Sequence, residues 1–332
     1  MNPTSKKQGI NVRPGDVING KWHHNRYVIL KQLGQGAIGS VYLCESNGKK
    51  AALKISDKGS SVTMEVNVLK TFKKVQGNRL GPSLLDVDDW IDPRGRTYSF
   101  YVMEYLKGEE LSTFVRRHGQ EWLGILMLQL LEDLSNLHKQ GWVFGDLKTD
   151  NLIVTHAPRR LKWIDVGGTT QIGRSIKEYT EFFDRGYWQM GSRKAEPSYD
   201  LFSLAMVMLH FYHPKRFERG SSPEKTLMRK LRNTAPLKPY ESCIYKALTG
   251  KYMSSDQMRQ DLSMILMQRK DTNTSQNTAR RPNVQTSRTV RGNTPKPNTN
   301  SKKQPRQEHP TLESLAIIVV VFLFYFLYLI LG

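Results

Sequence analysis

Two short polar motifs, which begin nineteen residues apart, restrict the folds that this sequence can adopt. The first is Asp146-Leu147-Lys148-Thr149-Asp150-Asn151, and the second is Asp165-Val166-Gly167. Carboxylate and amide oxygens are the ligands that Mg²⁺ prefers, and Mg²⁺ keeps phosphates in its shell. The two motifs therefore indicate a single folded domain that brings them together around a magnesium-bound phosphate.

A glycine-rich run lies between two predicted strands, Tyr27 to Leu33 and Val41 to Glu45. Its glycines, Gly34, Gly36 and Gly39, let a backbone approach phosphates that any Cβ would hold away. A dinucleotide-binding loop has the same three glycines but opens a helix, whereas this chain continues as a strand. Taken alone, the run also fits a structural hairpin that binds nothing.

A lysine and a glutamate follow at a suggestive spacing. Lys54 lies on the next predicted strand, Ala51 to Ile55, which an Asn47-Gly48 turn joins to the strand before it. Glu65 is the only carboxylate between Lys58 and Leu85, and it lies on a predicted helix. An ammonium group can reach α and β phosphates if a carboxylate holds it, so we expect Lys54 and Glu65 to pair.

The glycine-rich run, Lys54, Glu65 and the two polar motifs are five features in the order that protein kinases have them. The stretch from Tyr27 to Gln268 therefore resembles the protein kinase superfamily, in its bacterial Ser/Thr branch. The resemblance implies an α+β, bilobal fold with a small β-rich N-lobe (21–105) and a larger helical C-lobe (106–268). Further strands are predicted at Ser83 to Val87 and Thr97 to Leu106. The predicted helices are Ser61 to Val75, Glu109 to Arg117, Trp122 to Lys139, Asp200 to His213, Pro223 to Asn233, Pro239 to Leu248 and Ser254 to Gln268.

The resemblance also implies a role for each site residue. Asp146 and Lys148 would be catalytic, while Asn151 and Asp165 would bind Mg²⁺, with Mn²⁺ as an alternative. Met103 would be the gatekeeper beside the adenine of ATP. The implied ATP contacts are Gly34, Gly36, Gly39, Val41, Ala52, Lys54, Glu65, Glu104, Leu106, Glu110 and Ile153.

The sequence departs from the kinase pattern at three positions. Phe144 stands where the family usually has histidine, Gly145 where many members have arginine, and Val166 where D-F-G has phenylalanine. The missing arginine normally pairs with a phosphate on the activation segment, so we expect activity without such phosphorylation. A clear A-P-E is also missing, and either Tyr187-Trp188 or Ala195-Glu196-Pro197 could replace it.

Two other functions remain open at this point. The Gly-Asp-Leu core also resembles aminoglycoside and lipopolysaccharide kinases, which phosphorylate small molecules or sugars. Lys148 and the full glycine-rich run favour a protein kinase instead. A membrane-tethered pseudokinase scaffold is the non-enzyme alternative.

The carboxyl-terminal region differs from the rest in composition. Residues 312–332 contain a run of seventeen residues without charge or glycine, Leu315 to Leu331, which predicts a single transmembrane helix. The preceding residues, 269–311, read as a basic flexible linker, and residues 1–20 as a polar tail. Since basic residues flanking a span stay in the cytoplasm, we expect a tail-anchored membrane protein whose kinase domain is cytoplasmic and which has no extracellular sensor. This organisation resembles the YabT-type bacterial kinases.

The net charge of +20 favours a polyanionic partner over a neutral one. Residues 269–308 hold ten Lys or Arg against Asp271 and Glu308, and no aromatic residue on which a base could stack. We therefore expect salt-sensitive binding of DNA without sequence preference, with anionic lipid as the alternative. The only cysteines, Cys44 and Cys243, offer no C-x-x-C metal site and no disulfide framework.

Overall fold

A six-stranded antiparallel sheet forms the amino-terminal lobe. The computed structural model describes residue 10 and residues 12–36, 39–74 and 81–278. The strands of the sheet are β1 (Val17–Asn19), β2 (Arg26–Gln35), β3 (Ser40–Ser46), β4 (Lys49–Ser56), β5 (Leu84–Ile91) and β6 (Thr97–Glu104). Their spatial order is β1-β2-β3-β4-β6-β5. The predicted β-rich lobe is therefore present.

The predicted turn between β3 and β4 is confirmed. Asn47 and Gly48 both have positive φ, 49° and 72°, as the tight turn of a two-residue hairpin requires. Helix α1 (Gly59–Lys74) then crosses the sheet and buries Val66 and Leu69 against it. The hairpin and α1 together bring Lys54 and Glu65 within reach of one another.

Helices dominate after β6. They are α2 (Leu111–His118), α3 (Glu121–Lys139), α4 (Pro197–Tyr212), α5 (Pro223–Arg232), α6 (Glu241–Leu248) and α7 (Ser255–Thr278). Helix α4 has almost no polar face, because Leu201 through Leu209 are all buried, and so it forms the centre of the carboxyl-terminal lobe.

Short strands hold the loops that carry the polar motifs. Strand β7 (Gly108–Glu110) pairs with β9 (Leu152–Thr155), which pairs with β10 (Leu161–Trp163), and β8 (Trp142–Val143) pairs with β11 (Thr170–Gln171). The Asp146 motif lies between β8 and β9, and the Asp165 motif follows β10 directly. The two motifs therefore meet where these small sheets end.

Three predicted boundaries are wrong. Ile18 is fully buried and Val12 nearly so, hence part of the predicted polar tail belongs to the sheet lobe. Glu109 and Glu110 lie in β7 rather than in a helix, since β7 pairs with β9. Helix α7 continues to Thr278, ten residues into the predicted linker. Once a helix is nucleated, each added residue gains a backbone hydrogen bond. A packed helix can therefore extend beyond its last apolar side chain.

The predicted anchor and most of the predicted linker lie outside the described residues. Within the part of the chain that the structure describes, no helix is both long and apolar enough to cross a membrane.

Candidate active site

The ammonium group of Lys54 lies between two carboxylates from distant parts of the chain. Its Nζ atom is 2.7 Å from Oε2 of Glu65 and 3.2 Å from Oδ1 of Asp165. Tyr101 on β6 donates a hydrogen bond of 2.6 Å to Oε2 of Glu65 and so fixes that carboxylate. The predicted pairing of Lys54 with Glu65 is present, and Asp165 joins it.

The charges of this cluster depend on each other. Burial would lower the pKa of Lys54, but the carboxylates of Asp165 and Glu65 outweigh it and raise the pKa. Desolvation would raise the pKa of Asp165, but the ammonium of Lys54 and the amide of Gly167 lower it. Both groups are therefore ionised at neutral pH, and the side chain of Asp165 is 48% exposed, so it can accept a ligand.

The glycine-rich run forms the end of the β2–β3 hairpin. A Cβ on Gly39 would lie 2.3 Å from the carbonyl oxygen of Ile55, so only glycine allows this approach of β3 to β4. Among the described residues, a Cβ on Gly34 or Gly36 would meet no atom within 4 Å. Those two glycines are therefore not required for packing, and they leave space for a ligand. Ala37 and Ile38 lie outside the described residues.

The Asp146 motif forms a tight polar cluster. Lys148 donates a hydrogen bond of 2.5 Å to Oδ2 of Asp146, and Asn151 donates one of 3.0 Å to the Asp146 carbonyl oxygen. Thr180 joins the cluster, because its hydroxyl lies 3.1 Å from both Oδ1 of Asp146 and Nζ of Lys148. The amide nitrogen of Asn151 is used within the loop, which leaves its oxygen for a cation.

Gly145 brings the two motifs into direct contact. Its φ is +81°, and a Cβ there would lie 2.3 Å from the carbonyl oxygen of Gly168. A Cβ on Gly168 would in turn lie 2.6 Å from the Cβ of Asp146. The backbone here has no room for the arginine that many kinases carry at this position.

A buried carboxylate holds the start of the catalytic loop by hydrogen bonds to its backbone. Asp200, at the start of α4, is fully buried and accepts hydrogen bonds from the amides of Phe144, at 2.8 Å, and Gly145, at 2.9 Å. Nε2 of His138 lies 2.9 Å from the same carboxylate. Phe144 stacks on Trp163 with ring centroids 4.4 Å apart, so an aromatic contact replaces the usual histidine.

The predicted adenine contacts are split between the two lobes. Ala52 and Met103 are buried on paired strands β4 and β6, and the carboxylate of Glu104 accepts a hydrogen bond from the hydroxyl of Ser83. Glu110 and Ile153 line a cavity of about 510 Å³ beside the catalytic loop. Val41 is partly buried and Leu106 is buried. The resemblance places six of these seven residues around the adenine and Glu110 at the ribose, and the structure distributes them over both lobes.

Two residues of the site were missed by the sequence reasoning, and both lie on the segment after Gly167. Thr180 is described above. Glu178 lies near Gly167, since a Cβ built on Gly167 would lie 3.3 Å from Oε2 of Glu178 and 3.4 Å from Oδ1 of Asp165. Desolvation and the charges of Glu65, Asp165 and Asp146 raise the pKa of Glu178. No local pattern marks either residue, because their partners lie far away in sequence.

Ion pairs hold this same segment in place. Asp184 is fully buried and pairs with Arg193 at 2.7 Å, and Tyr199 donates to it at 2.9 Å. Arg185 pairs with Glu196 at 2.7 Å. Of the two A-P-E substitutes, Ala195-Glu196-Pro197 supplies this ion pair, while the ring of Trp188 is buried in the core. Side-chain pairs thus fix the segment where other kinases use a phosphate.

The sequence is similar to those of known protein kinases. Residues 27–287 match the protein kinase domain family. Serine/threonine-protein kinase YabT of Bacillus subtilis (strain 168) is 44% identical over 335 residues, which cover 99% of this chain and 98% of that protein. Human serine/threonine-protein kinase PAK 4 is 26% identical over 221 residues, 62% of this chain and 35% of that protein.

A solved structure agrees on the fold. Vaccinia related kinase 3 superposes with a TM-score of 0.58 at 16% identity, covering 79% of this chain and 93% of that one. The match to YabT spans both chains almost entirely, so it covers the stretches that hold Lys54 and Asp146. The chain therefore belongs to the protein kinase family, as an ATP-dependent serine/threonine-protein kinase of the bacterial YabT-like group.

Proposed function

We propose that Asp146 and Lys148 carry out transfer of the γ-phosphate of ATP to serine or threonine residues of proteins, including this chain itself. The observation that supports this most is the position of Lys54, within 3.2 Å of Asp165 and 2.7 Å of Glu65. An amine held between those carboxylates, at the end of the glycine-rich hairpin, is placed to bind the inner phosphates.

The catalytic loop provides the remaining functions. Asp146 orients the acceptor hydroxyl and accepts its proton late in transfer, since the reaction has a loose transition state with charge spread over the phosphoryl oxygens. Lys148, 2.5 Å from Asp146, neutralises part of that charge. The hydroxyl of Thr180 lies 3.1 Å from each of these two side chains and holds them in position relative to each other.

The donor set fits Mg²⁺. Asp165 offers a half-exposed carboxylate, and Asn151 offers an amide oxygen whose nitrogen is already bonded to Asp146. Both are hard oxygen ligands, of the kind that Mg²⁺ and Mn²⁺ accept. When bound there by Asp165 and Asn151, the ion would neutralise charge on the phosphates of ATP.

Phosphate transfer from radiolabelled ATP, measured for wild type and Asp146→Asn, tests these roles. We expect Asp146→Asn to lower kcat about 100-fold or more, because a positioned general base contributes that much. Asp57→Asn, an exposed carboxylate after β4, is the matched control and should leave kcat unchanged. Full activity of Asp146→Asn would contradict the assignment.

The same assay separates the alternative functions. Label on protein Ser or Thr supports the proposal, label on aminoglycosides or sugars supports a small-molecule kinase, and nucleotide binding without transfer supports a pseudokinase scaffold. The full chain in detergent is the right material, because a fragment ending at Lys270 would cut through α7.

The carboxyl-terminal region is proposed to act as a membrane anchor. Leu315 to Leu331 contain seventeen uncharged residues, long enough to cross a bilayer if nearly perpendicular. The basic residues before them keep the kinase domain cytoplasmic. Protease treatment of intact cells and of inverted vesicles tests this: the kinase domain should be cut only in inverted vesicles, and cutting in intact cells would reverse the topology.

Residues 269–308 are proposed to bind DNA through phosphate neutralisation, in a way that regulates the kinase. Their net charge is +8 and they lack aromatic residues. If six or more phosphates are contacted, duplex affinity should fall about 1,000-fold or more between roughly 50 and 200 mM salt. Affinity that stays flat would refute counterion release, and tight binding to vesicles of anionic lipid without DNA binding would identify lipid as the partner.

A further inference from the structure

A chain of hydrogen bonds links the catalytic loop to the last helix of the kinase domain. Asp200 accepts from the amides of Phe144 and Gly145, the two residues before Asp146. His138, on the last turn of α3, approaches Asp200 through Nε2 at 2.9 Å. The other nitrogen of that ring, Nδ1, lies 3.0 Å from the hydroxyl of Ser255, the first residue of α7.

The three side chains of this hydrogen-bond series are shielded from water. The side chain of His138 is 6% exposed and that of Asp200 is 0% exposed, and Ser255 is 1% exposed. A carboxylate can only accept, so Nε2 of His138 donates to Asp200, and Nδ1 forms the hydrogen bond with the hydroxyl of Ser255. Asp200 and Ser255 therefore fix the orientation of the ring together, one at each nitrogen.

The start of α7 is itself firmly held. Asp256 pairs with Lys139 at 3.0 Å, and Met258 and Leu262 are fully buried. Ser254 accepts a weak hydrogen bond of 3.4 Å from the amide of Gln257, in the manner of a helix cap. The two neighbouring serines thus have different partners: Ser254 faces its own helix, and Ser255 faces the catalytic loop through His138.

We propose that Ser255 is a positioning residue for phosphoryl transfer. Its hydroxyl holds the His138 ring, the ring holds the Asp200 carboxylate, and the carboxylate holds the two amides that set the position of Asp146. Ser255 touches neither nucleotide nor acceptor. Its loss therefore misplaces Asp146 without changing the Lys54–Glu65 pair, which lies in the amino-terminal lobe.

Kinetics of four full-length variants test this: Ser255→Ala, Ser254→Ala, His138→Ala and the double variant Ser255→Ala/His138→Ala. Ser255→Ala should lower kcat about tenfold and leave KM for ATP within about twofold, because small misplacements of a reacting group are costly. Ser254→Ala removes the same hydroxyl one residue away and should leave kcat unchanged. Rates are expressed per nucleotide-binding site, so that partial unfolding does not count as lost catalysis.

The double variant gives the second measurement. If Ser255 acts through His138, its removal from the His138→Ala enzyme should have no further effect on kcat. The proposal is overturned if Ser255→Ala keeps kcat within about twofold of wild type, if Ser254→Ala loses as much, or if the two effects multiply in the double variant.

Discussion

At the residue scale, Gly145 shows how one departure from the kinase pattern requires others. Its φ of +81° and the 2.3 Å approach to Gly168 exclude any side chain, so the arginine of other kinases cannot be restored by mutation alone. Gly168, next to Asp146, completes the contact. The two glycines let the catalytic loop and the metal-binding loop touch.

Gly145→Ala and Gly141→Ala separate backbone strain from this contact. Both glycines have φ of +81°, but a Cβ on Gly141 would meet no atom of the described residues within 4 Å. Gly141→Ala should cost about 1–2 kcal/mol of folding free energy from backbone strain. Gly145→Ala should cost at least about 1 kcal/mol more, since overpacking adds to the strain, and should also lower kcat. Urea unfolding and kcat measure both, and equal losses in the two variants would contradict the account.

Glu178 is a second residue with a measurable consequence. Desolvation and the carboxylates of Glu65, Asp165 and Asp146 raise the pKa of Glu178, so its charged form is disfavoured in the folded protein. The resulting destabilisation is absent below the unfolded pKa, grows as pH rises from the unfolded to the folded pKa, and is complete above the folded pKa. Glu178→Gln should therefore raise Tm more at about pH 7.5 than at about pH 5.

Thermal unfolding of Glu178→Gln at both pH values provides the check. Glu181→Gln, an exposed carboxylate on the same segment, is the control and should leave Tm nearly unchanged at both. A fall in Tm at the higher pH would show that Glu178 is stabilised as an anion, opposite to the expectation.

At the element scale, the activation segment is held by its own side chains. The Asp184–Arg193 and Arg185–Glu196 pairs lie on the stretch that a phosphate orders in other kinases. Asp184 also accepts hydrogen bonds from the backbone amides of Gly186 and Tyr187, which fixes the turn that follows it.

We therefore expect full activity without phosphate on this segment. Enzyme treated with phosphatase and repurified should retain kcat within about twofold, because a phosphate would find no arginine at position 145 with which to pair. Initial rates, with intact-mass spectrometry at each time point, provide the measurement. A rate that starts near zero and rises as phosphate is incorporated would refute it.

Local patterns predicted the elements whose signals are local. The strands β2 to β4, the Asn47-Gly48 turn and the pairing of Lys54 with Glu65 all follow from short stretches of sequence. Thr180, Glu178 and Ser255 could not be found that way. Thr180 meets Asp146 across 34 residues and Ser255 meets His138 across 117 residues, so only the tertiary fold brings them together.

Helix α7 shows the same limit for a boundary. Its last ten residues, from Arg269 to Thr278, contain no apolar side chain, and composition alone assigned them to the linker. The helix continues because propagation needs only backbone hydrogen bonds after the packed turns around Met258 and Leu262. The proposed polyanion-binding segment therefore begins as a direct extension of the kinase domain.

At the scale of the whole molecule, the kinase and its basic segment can act on one another. The segment 269–308 carries a net charge of +8. It also contains ten Ser or Thr residues, of which seven are the proposed autophosphorylation sites: Thr272, Thr274, Ser275, Thr278, Thr286, Ser287 and Thr289. Each phosphate adds about −1.5 to −2 charges, so roughly four or five would cancel the positive charge.

Autophosphorylation should therefore release bound DNA. Full-length enzyme incubated with ATP and Mg²⁺ should lose most of its duplex affinity, and its dependence on salt should become shallower, because fewer counterions are displaced. Asp146→Asn, treated identically, should keep both. Fluorescence anisotropy of labelled duplex and mass spectrometry of the same samples connect affinity with phosphate number. Affinity that persists after four or more phosphates have been added within 269–308, or a segment left unmodified by active enzyme, would show that charge cancellation does not control this interaction.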